Sequence, residues 1–188
     1  MLHLASACHL IPSSPYLCLM LTFSPATAAD IPAVVALVNS AYRGESSRQG
    51  WTTEADLLDG SRTDADDLHS ILATPGATLL LARTAAGELL GSVYLKHQAP
   101  DLYLGMLTVV PTQQGRGLGK QLLAAAEAHA RRLGCTGIII SVILARHELL
   151  AWYERHGFAR TGETAAFPAD PRFGQPLVLL VLRKELAE

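Results

Sequence analysis

A branched, apolar run that stops at a proline and turns through three glycines into a helix leaves a chain few ways to fold. Leu107, Thr108, Val109 and Val110 form such a run, Pro111 ends it, and Gly115, Gly117 and Gly119 alternate as a helical pattern opens at Leu118. Glycine reaches backbone angles that turn successive N–H groups toward one point, and its missing side chain lets an anion come close. The helix N-terminus behind it adds free N–H donors and a partial positive charge, with Arg116 and Lys120 beside them. The segment predicts a phosphate cradle between a strand and a helix. A buried strand by composition, Ile138 to Val142, follows the helix Leu118 to Leu133. Strand, loop, helix and strand from 102 to 142 therefore make a parallel crossover unit, right-handed by the general rule.

Two common phosphate loops do not fit. A P-loop needs Gly five residues before its Gly-Lys pair and Ser or Thr after it, whereas positions 114 and 121 are both Gln. A dinucleotide fingerprint opening at Gly115 needs Gly at position 120, which is Lys120. What remains is Gln114-Gly115-Arg116-Gly117-Leu118-Gly119, or Q-x-x-G-x-G. Further on, Trp152-Tyr153-Glu154-Arg155-His156-Gly157-Phe158 contains Tyr-x-x-x-Gly-Phe. The two motifs, separated by a strand and the start of a helix, resemble the paired signatures of the GNAT superfamily of acyl-CoA-dependent N-acyltransferases, and the resemblance covers about residues 21–187.

Element signals agree with that order. Thr27 to Asp30 is a capping-box-like start for a helix carrying Ile31, Val34, Val38, Ala41 and Tyr42 at helical spacing. Short helices are expected over Thr53 to Leu58 and Asp64 to Leu72. Strands are expected over Leu21 to Thr27, Thr78 to Arg83, Glu88 to Lys96, Leu102 to Val110, Ile138 to Val142, from Phe158 onward and over Leu177 to Leu182, with a helix over His147 to Arg155. The resemblance implies an α/β class fold (α+β, mixed sheet) of about seven strands with helices on both faces. Residues 1–19, interrupted by Pro12 and Pro15 and lacking a basic start, are expected to be an extension outside the core, and residues 20–188 the acetyltransferase domain.

At 188 residues the chain reads as one such domain, large enough to bury about 70% of its unfolded surface. A net charge of −2 provides no basic excess for general nucleic-acid binding, and no apolar run is long enough for a membrane span. Cys8, Cys18 and Cys135 form no metal-spaced pair and leave an odd thiol, which fits a reducing, cytoplasmic setting. The seven histidines show no ligand spacing, His147-Glu148 lacks the second histidine of a zinc-protease helix, and no Gly-x-Ser-x-Gly elbow occurs. No metal is expected.

The resemblance implies a cofactor and places its parts. Acetyl-CoA is the expected cosubstrate, with pyrophosphate on the N–H groups of Gly115 to Lys120 beside Gln114. Its amide-bearing arm would lie along the backbone of Leu107, Thr108 and Val109 like an added strand. A tyrosine hydroxyl near the sulfur implies Tyr153 as general acid; packing on the sheet is its alternative role. Two departures from the pattern stand out. The strand before the loop, Tyr103-Leu104-Gly105-Met106-Leu107, has no carboxylate to serve as base, which leaves Glu54 and Glu148 as candidates. Arg146 occupies the position where Asn is common; it reads as a cofactor-phosphate partner, a clamp for an acceptor carboxylate, or a surface arginine.

Acceptor choice in this fold is expected from residues 39–62 and 163–175. The first stretch holds Tyr42, Arg43, Trp51, Thr52, Glu54 and Arg62, rich in hydrogen-bonding and aromatic groups for a loop. Tyr42, Trp51, Glu54 and Arg62 are the acceptor-site candidates, and a small polar primary amine is the expected acceptor. The other partner entertained is a second copy of the chain in a homodimer, with neither nucleic acid nor membrane. A CoA-binding sensor without turnover and a nucleotide-binding α/β enzyme stay open as rivals.

Overall fold

The structure is a computed structural model that describes residues 21–167 and 177–187. The expected extension, 1–19, and residues 168–175 of the last hairpin lie outside them. Among the described residues seven strands form one sheet in the order β1-β2-β3-β4-β5-β7-β6. They are β1 Leu21–Pro25, β2 Ala77–Thr84, β3 Leu89–Gln98, β4 Asp101–Val109, β5 Gly137–Ile143, β6 Ala159–Ala166 and β7 Val178–Glu185. β4 and β5 pair in parallel and every other neighbouring pair is antiparallel. The mixed sheet anticipated from the crossover unit is therefore present.

Among the described residues five helices accompany it: α1 Ile31–Tyr42, α2 Gly44–Ser47, α3 Ala65–Ala73, α4 Leu118–Arg132 and α5 His147–Arg155. The start of α1 follows from its sequence. Thr27 donates to the Asp30 carboxylate through both its N–H and its hydroxyl, each at 2.8 Å, in a 3-10 turn that leads into a first turn containing proline, where the absent N–H costs nothing. Asp64 caps α3 by accepting from Asp67 N–H at 2.9 Å. Gly134, with φ of 72°, follows the end of α4 in the left-handed conformation that favours glycine.

Strand alternation in β2 divides the core. Leu79 and Leu81 pack with Ile31, Val34 and Val38 of α1 and Leu68 of α3. Leu80 and Ala82, on the opposite face, belong with Leu122, Leu123 and Ala126 of α4 and Leu150 of α5. Each fully buried leucine contributes about 1.5–3 kcal/mol relative to exposure, so the two clusters fix both helical layers to the sheet.

One expected helix does not form. Over 53–58 the chain makes a single turn, in which Leu57 and Leu58 N–H both donate to the Glu54 carbonyl at 2.9 and 3.0 Å. The Thr53 hydroxyl accepts Ala55 N–H at 3.0 Å, offering the backbone a local alternative to the helical ladder, and Gly60 at φ 74° turns the chain away. The short helix of this region is instead Gly44–Ser47.

Candidate active site

The parallel pairing of β4 with β5 covers only Asp101–Tyr103 against Gly137–Ile139. Beyond Tyr103 the two strands part, and among the described residues the second half of β4 pairs with no strand on that edge. There β4 also bulges. Its register against β3 shifts between Ser92 and Tyr94, and Met106 takes a left-handed φ of 43°, strained for a side chain of its size. Hydroxyls stabilise the bulge: Thr108 donates to the Met106 carbonyl at 2.9 Å and Tyr42 to the Leu107 carbonyl at 3.1 Å.

The glycine loop continues from this edge. After Val109 come a 3-10 turn, Pro111–Gln113, then Gly115 and Gly117 at φ 75° and 82°, the latter as N-cap of α4 with no side chain capping it. The N–H groups of Leu118, Gly119 and Lys120 precede the first helical bond, Gln121 N–H to the Gly117 carbonyl at 3.1 Å. Space for a Cβ at Gly115 and Gly117 is open, so these glycines are required by conformation. Gly119 differs: no left-handed φ marks it, and a Cβ there would lie 3.5 Å from the Trp152 ring. Gly117→Ala is expected to cost about 1–2 kcal/mol, the penalty for a side chain in that conformation, and to weaken acetyl-CoA binding. Urea unfolding together with calorimetric titration of acetyl-CoA checks both.

Loop, splayed edge and α5 enclose a cavity of about 420 Å³. Of the residues assigned to the cofactor from sequence, Leu107, Thr108, Val109, Gln114, Gly115, Gly117, Gly119, Lys120 and Arg146 line it, as do Tyr153 and, on the acceptor side, Tyr42 and Trp51. Arg116, Leu118, Glu54 and Arg62 do not. The Leu118 side chain is in the core, so only its N–H faces the question of phosphate binding. Arg62 sits over the Tyr42 ring, 5.5 Å from its centre. Sequence reasoning passed over Leu149, Trp152, Arg155 and His156, which also line the cavity. Leu149, Trp152, Tyr153 and His156 follow the i, i+3, i+4, i+7 spacing of one helix face, and that spacing was the available signal.

Tyr153 is buried, with edge-on ring contacts to Trp152 (4.9 Å) and Phe158 (5.2 Å). Packing therefore fixes the ring, and no described residue hydrogen-bonds its hydroxyl. Burial first, then the neighbouring Tyr42, raises its pKa well above the ordinary phenol value, with Arg146 opposing. Burial raises Tyr42 as well. Both phenols carry their protons at neutral pH.

Beside the cavity lies a buried ion cluster. Glu54 accepts from Arg43 Nη1 at 2.5 Å and from Arg146 Nη1 at 2.7 Å, and all three side chains are less than a tenth exposed. The Arg146 Nη2 donates to Thr52 Oγ1 at 2.7 Å, and the Thr52 hydroxyl in turn donates to Glu148 at 2.8 Å. Arg146 is thus not a surface arginine. Glu54, with each carboxylate oxygen on a guanidinium, is badly placed to take a proton from an amine. Glu148 is partly exposed and does not line the cavity; it meets two residues that do, Thr52 and, at 3.9 Å, Arg146.

A sheet opened between two parallel strands, with a glycine loop and helix N-terminus at the opening, is the arrangement expected of an acyl-CoA-dependent acyltransferase. The acetyltransferase (GNAT) family model matches residues 37–158, from α1 through the Gly-Phe pair after α5, and the chain belongs to that family. Among curated proteins it is similar to the mycothiol acetyltransferase of Paenarthrobacter aurescens, with 34% identity over 128 residues, 65% of this chain and 37% of that protein. The chain spans less than half the length of the curated relatives it matches. In fold it is similar to a putative phosphinothricin N-acetyltransferase (TM-score 0.67, 23% identity, 90% of this chain and all of that one). It is also similar to a putative acetyltransferase from Salmonella typhimurium determined with its cofactor acetyl-CoA (TM-score 0.62, 20% identity, 90% and 95% covered). Among the described residues no helix is long and apolar enough to cross a membrane.

Proposed function

We propose that the chain is an N-acetyltransferase that moves an acetyl group from acetyl-CoA to the primary amine of a small polar acceptor by direct transfer. The observation that carries this reading is the cavity itself, where free helix N–H groups, an unpaired strand edge and a buried tyrosine meet. The residues fit the cosubstrate: the left-handed glycines clear space in front of the N–H groups of Leu118 to Lys120, and Lys120 adds charge for a pyrophosphate. The free half of β4 can pair with an extended amide-bearing arm. Acetyl-CoA supplies the activated thioester. A backbone N–H at the β4 bulge would polarise its carbonyl, the acceptor nitrogen would form the new C–N bond as the C–S bond breaks, and Tyr153 would donate its proton to the departing thiolate. The amine would shed its proton to solvent water, since Glu54 is committed to two arginines, and water would return one to Tyr153 to close the cycle. The mycothiol acetyltransferase relatives support a small-molecule acceptor.

Binding is tested first. At about 100 times its dissociation constant, acetyl-CoA is expected to stabilise the protein by about 2.7 kcal/mol, a rise of about 5–11 °C in melting midpoint for a domain of this size. CoA should act similarly and ATP and NADH should not. No shift with either CoA species removes the proposal. The locked Glu54 favours one rival, a CoA-binding domain without turnover. Release of free CoA against a panel of amines separates the two, because the rival binds and releases nothing.

A further inference from the structure

Gln114 opens the glycine motif, yet its side chain is held by protein groups at both ends. Its Oε1 accepts the Trp51 backbone N–H at 3.1 Å, and its Nε2 donates to the Val109 carbonyl at 3.2 Å. The two partners are a backbone amide and a carbonyl, so the orientation of the side-chain amide is unambiguous. One end grips the last residue of β4, the other a segment more than sixty residues earlier in the chain. Gly50 is shaped to this contact. A Cβ there would stand 2.4 Å from Gln114 Oε1 and 2.8 Å from its Cδ, and Gly50 has no left-handed φ. Glycine is needed at position 50 for the closeness of the glutamine, not for its own backbone angles. Trp51 follows at once, 44% exposed and lining the cavity.

We infer that Gln114 is a positioning residue for the acceptor rather than a ligand of the cofactor. It is a strut that fixes Gly50-Trp51 to the end of β4, so that the wall of the amine site is set by the same loop that cradles the phosphates. The inference rests on the acetyl-transfer reading for the word acceptor, and on the hydrogen-bond geometry alone for the strut.

Gln114→Ala removes the strut. The acceptor KM is then expected to rise about 10-fold, the equilibrium equivalent of one lost hydrogen bond, while the dissociation constant for acetyl-CoA stays at its wild-type value. In the protein without ligand, hydrogen exchange at the Trp51 amide should accelerate. Gly50→Ala should reproduce both effects by displacing the glutamine, and should add nothing further once position 114 is alanine, because the two substitutions act on one contact. A weakened affinity for acetyl-CoA with unchanged acceptor KM and unchanged Trp51 exchange overturns the inference and returns Gln114 to the cofactor. If the wild-type protein acetylates no amine at all, the transfer reading falls by itself. Exchange at Trp51 then decides the strut, faster in Gln114→Ala upholding it and unchanged overturning it.

Discussion

Replacing Glu54 by leucine is expected to cost about 3–5 kcal/mol, the range for breaking a buried ion pair from one side, and to lower the melting midpoint by about 6–20 °C. The carboxylate stands between Arg43 and Arg146, both buried, at 2.5 and 2.7 Å. Without it two buried guanidiniums lose the carboxylate that stands between them, and neither can be relieved by deprotonation. Removing one arginine is milder. Arg146→Met leaves Glu54 paired with Arg43 and should cost less than Glu54→Leu, although it also frees Thr52. Glu148→Gln, at a partly exposed side chain 3.9 Å from Arg146 Nε, should fall within about 0.5 kcal/mol of wild type. Urea unfolding of the three variants checks the order, and repeating it in high salt checks the cause, because a buried cluster is screened much less than a surface pair. A Glu54→Leu protein as stable as wild type would show that the cluster carries no net energy.

The cluster also marks the limit of what the chain discloses by itself. Local signals were legible wherever the physics is local. The capping pair Thr27 and Asp30, the strand–glycine–helix junction at 107–120 and the strand expected over Thr78 to Arg83 each depend on residues a few positions apart, and each formed as expected. Glu54 and Arg146 are separated by ninety-two positions, and no spacing rule brings them together. That pairing decides the character of both: it buries the arginine that read equally well as a surface residue, and it occupies the carboxylate that read as a base. The bulge in β4 was hidden for a related reason. Left-handed backbone is expected at glycine, and Gly105 stands next door, but Met106 adopts it, held by hydroxyls from Thr108 and from Tyr42 on α1. Tertiary contacts outweighed local preference there, at the point where the structure opens for a ligand.

Tyr153→Phe is expected to lower kcat by about 10²–10⁴-fold, the usual contribution of a positioned proton donor, with little change in KM for either substrate. The substitution isolates the hydroxyl. The ring is gripped by Trp152 and Phe158, phenylalanine keeps both contacts, and no described residue loses a hydrogen bond, so melting midpoint and acetyl-CoA affinity should match wild type. Tyr42 is the internal control. Its hydroxyl is committed to the Leu107 carbonyl, and Tyr42→Phe should disturb the β4 bulge and acetyl-CoA binding instead of the proton transfer alone. The pH dependence follows from the direction of the shift. A phenol whose pKa burial has raised above the ordinary value of 10.0 keeps its proton as pH climbs through the range where a free tyrosine would lose it. The wild-type rate should therefore show no alkaline fall attributable to Tyr153 below about pH 10, and rate should rise on the acid side as the free amine form of the acceptor becomes populated. Steady-state kinetics of wild type and Tyr153→Phe across pH measures both. An unchanged kcat in the phenylalanine variant would assign Tyr153 to packing, and an alkaline limb well below pH 10 that disappears in that variant would mean that burial fails to keep the hydroxyl protonated.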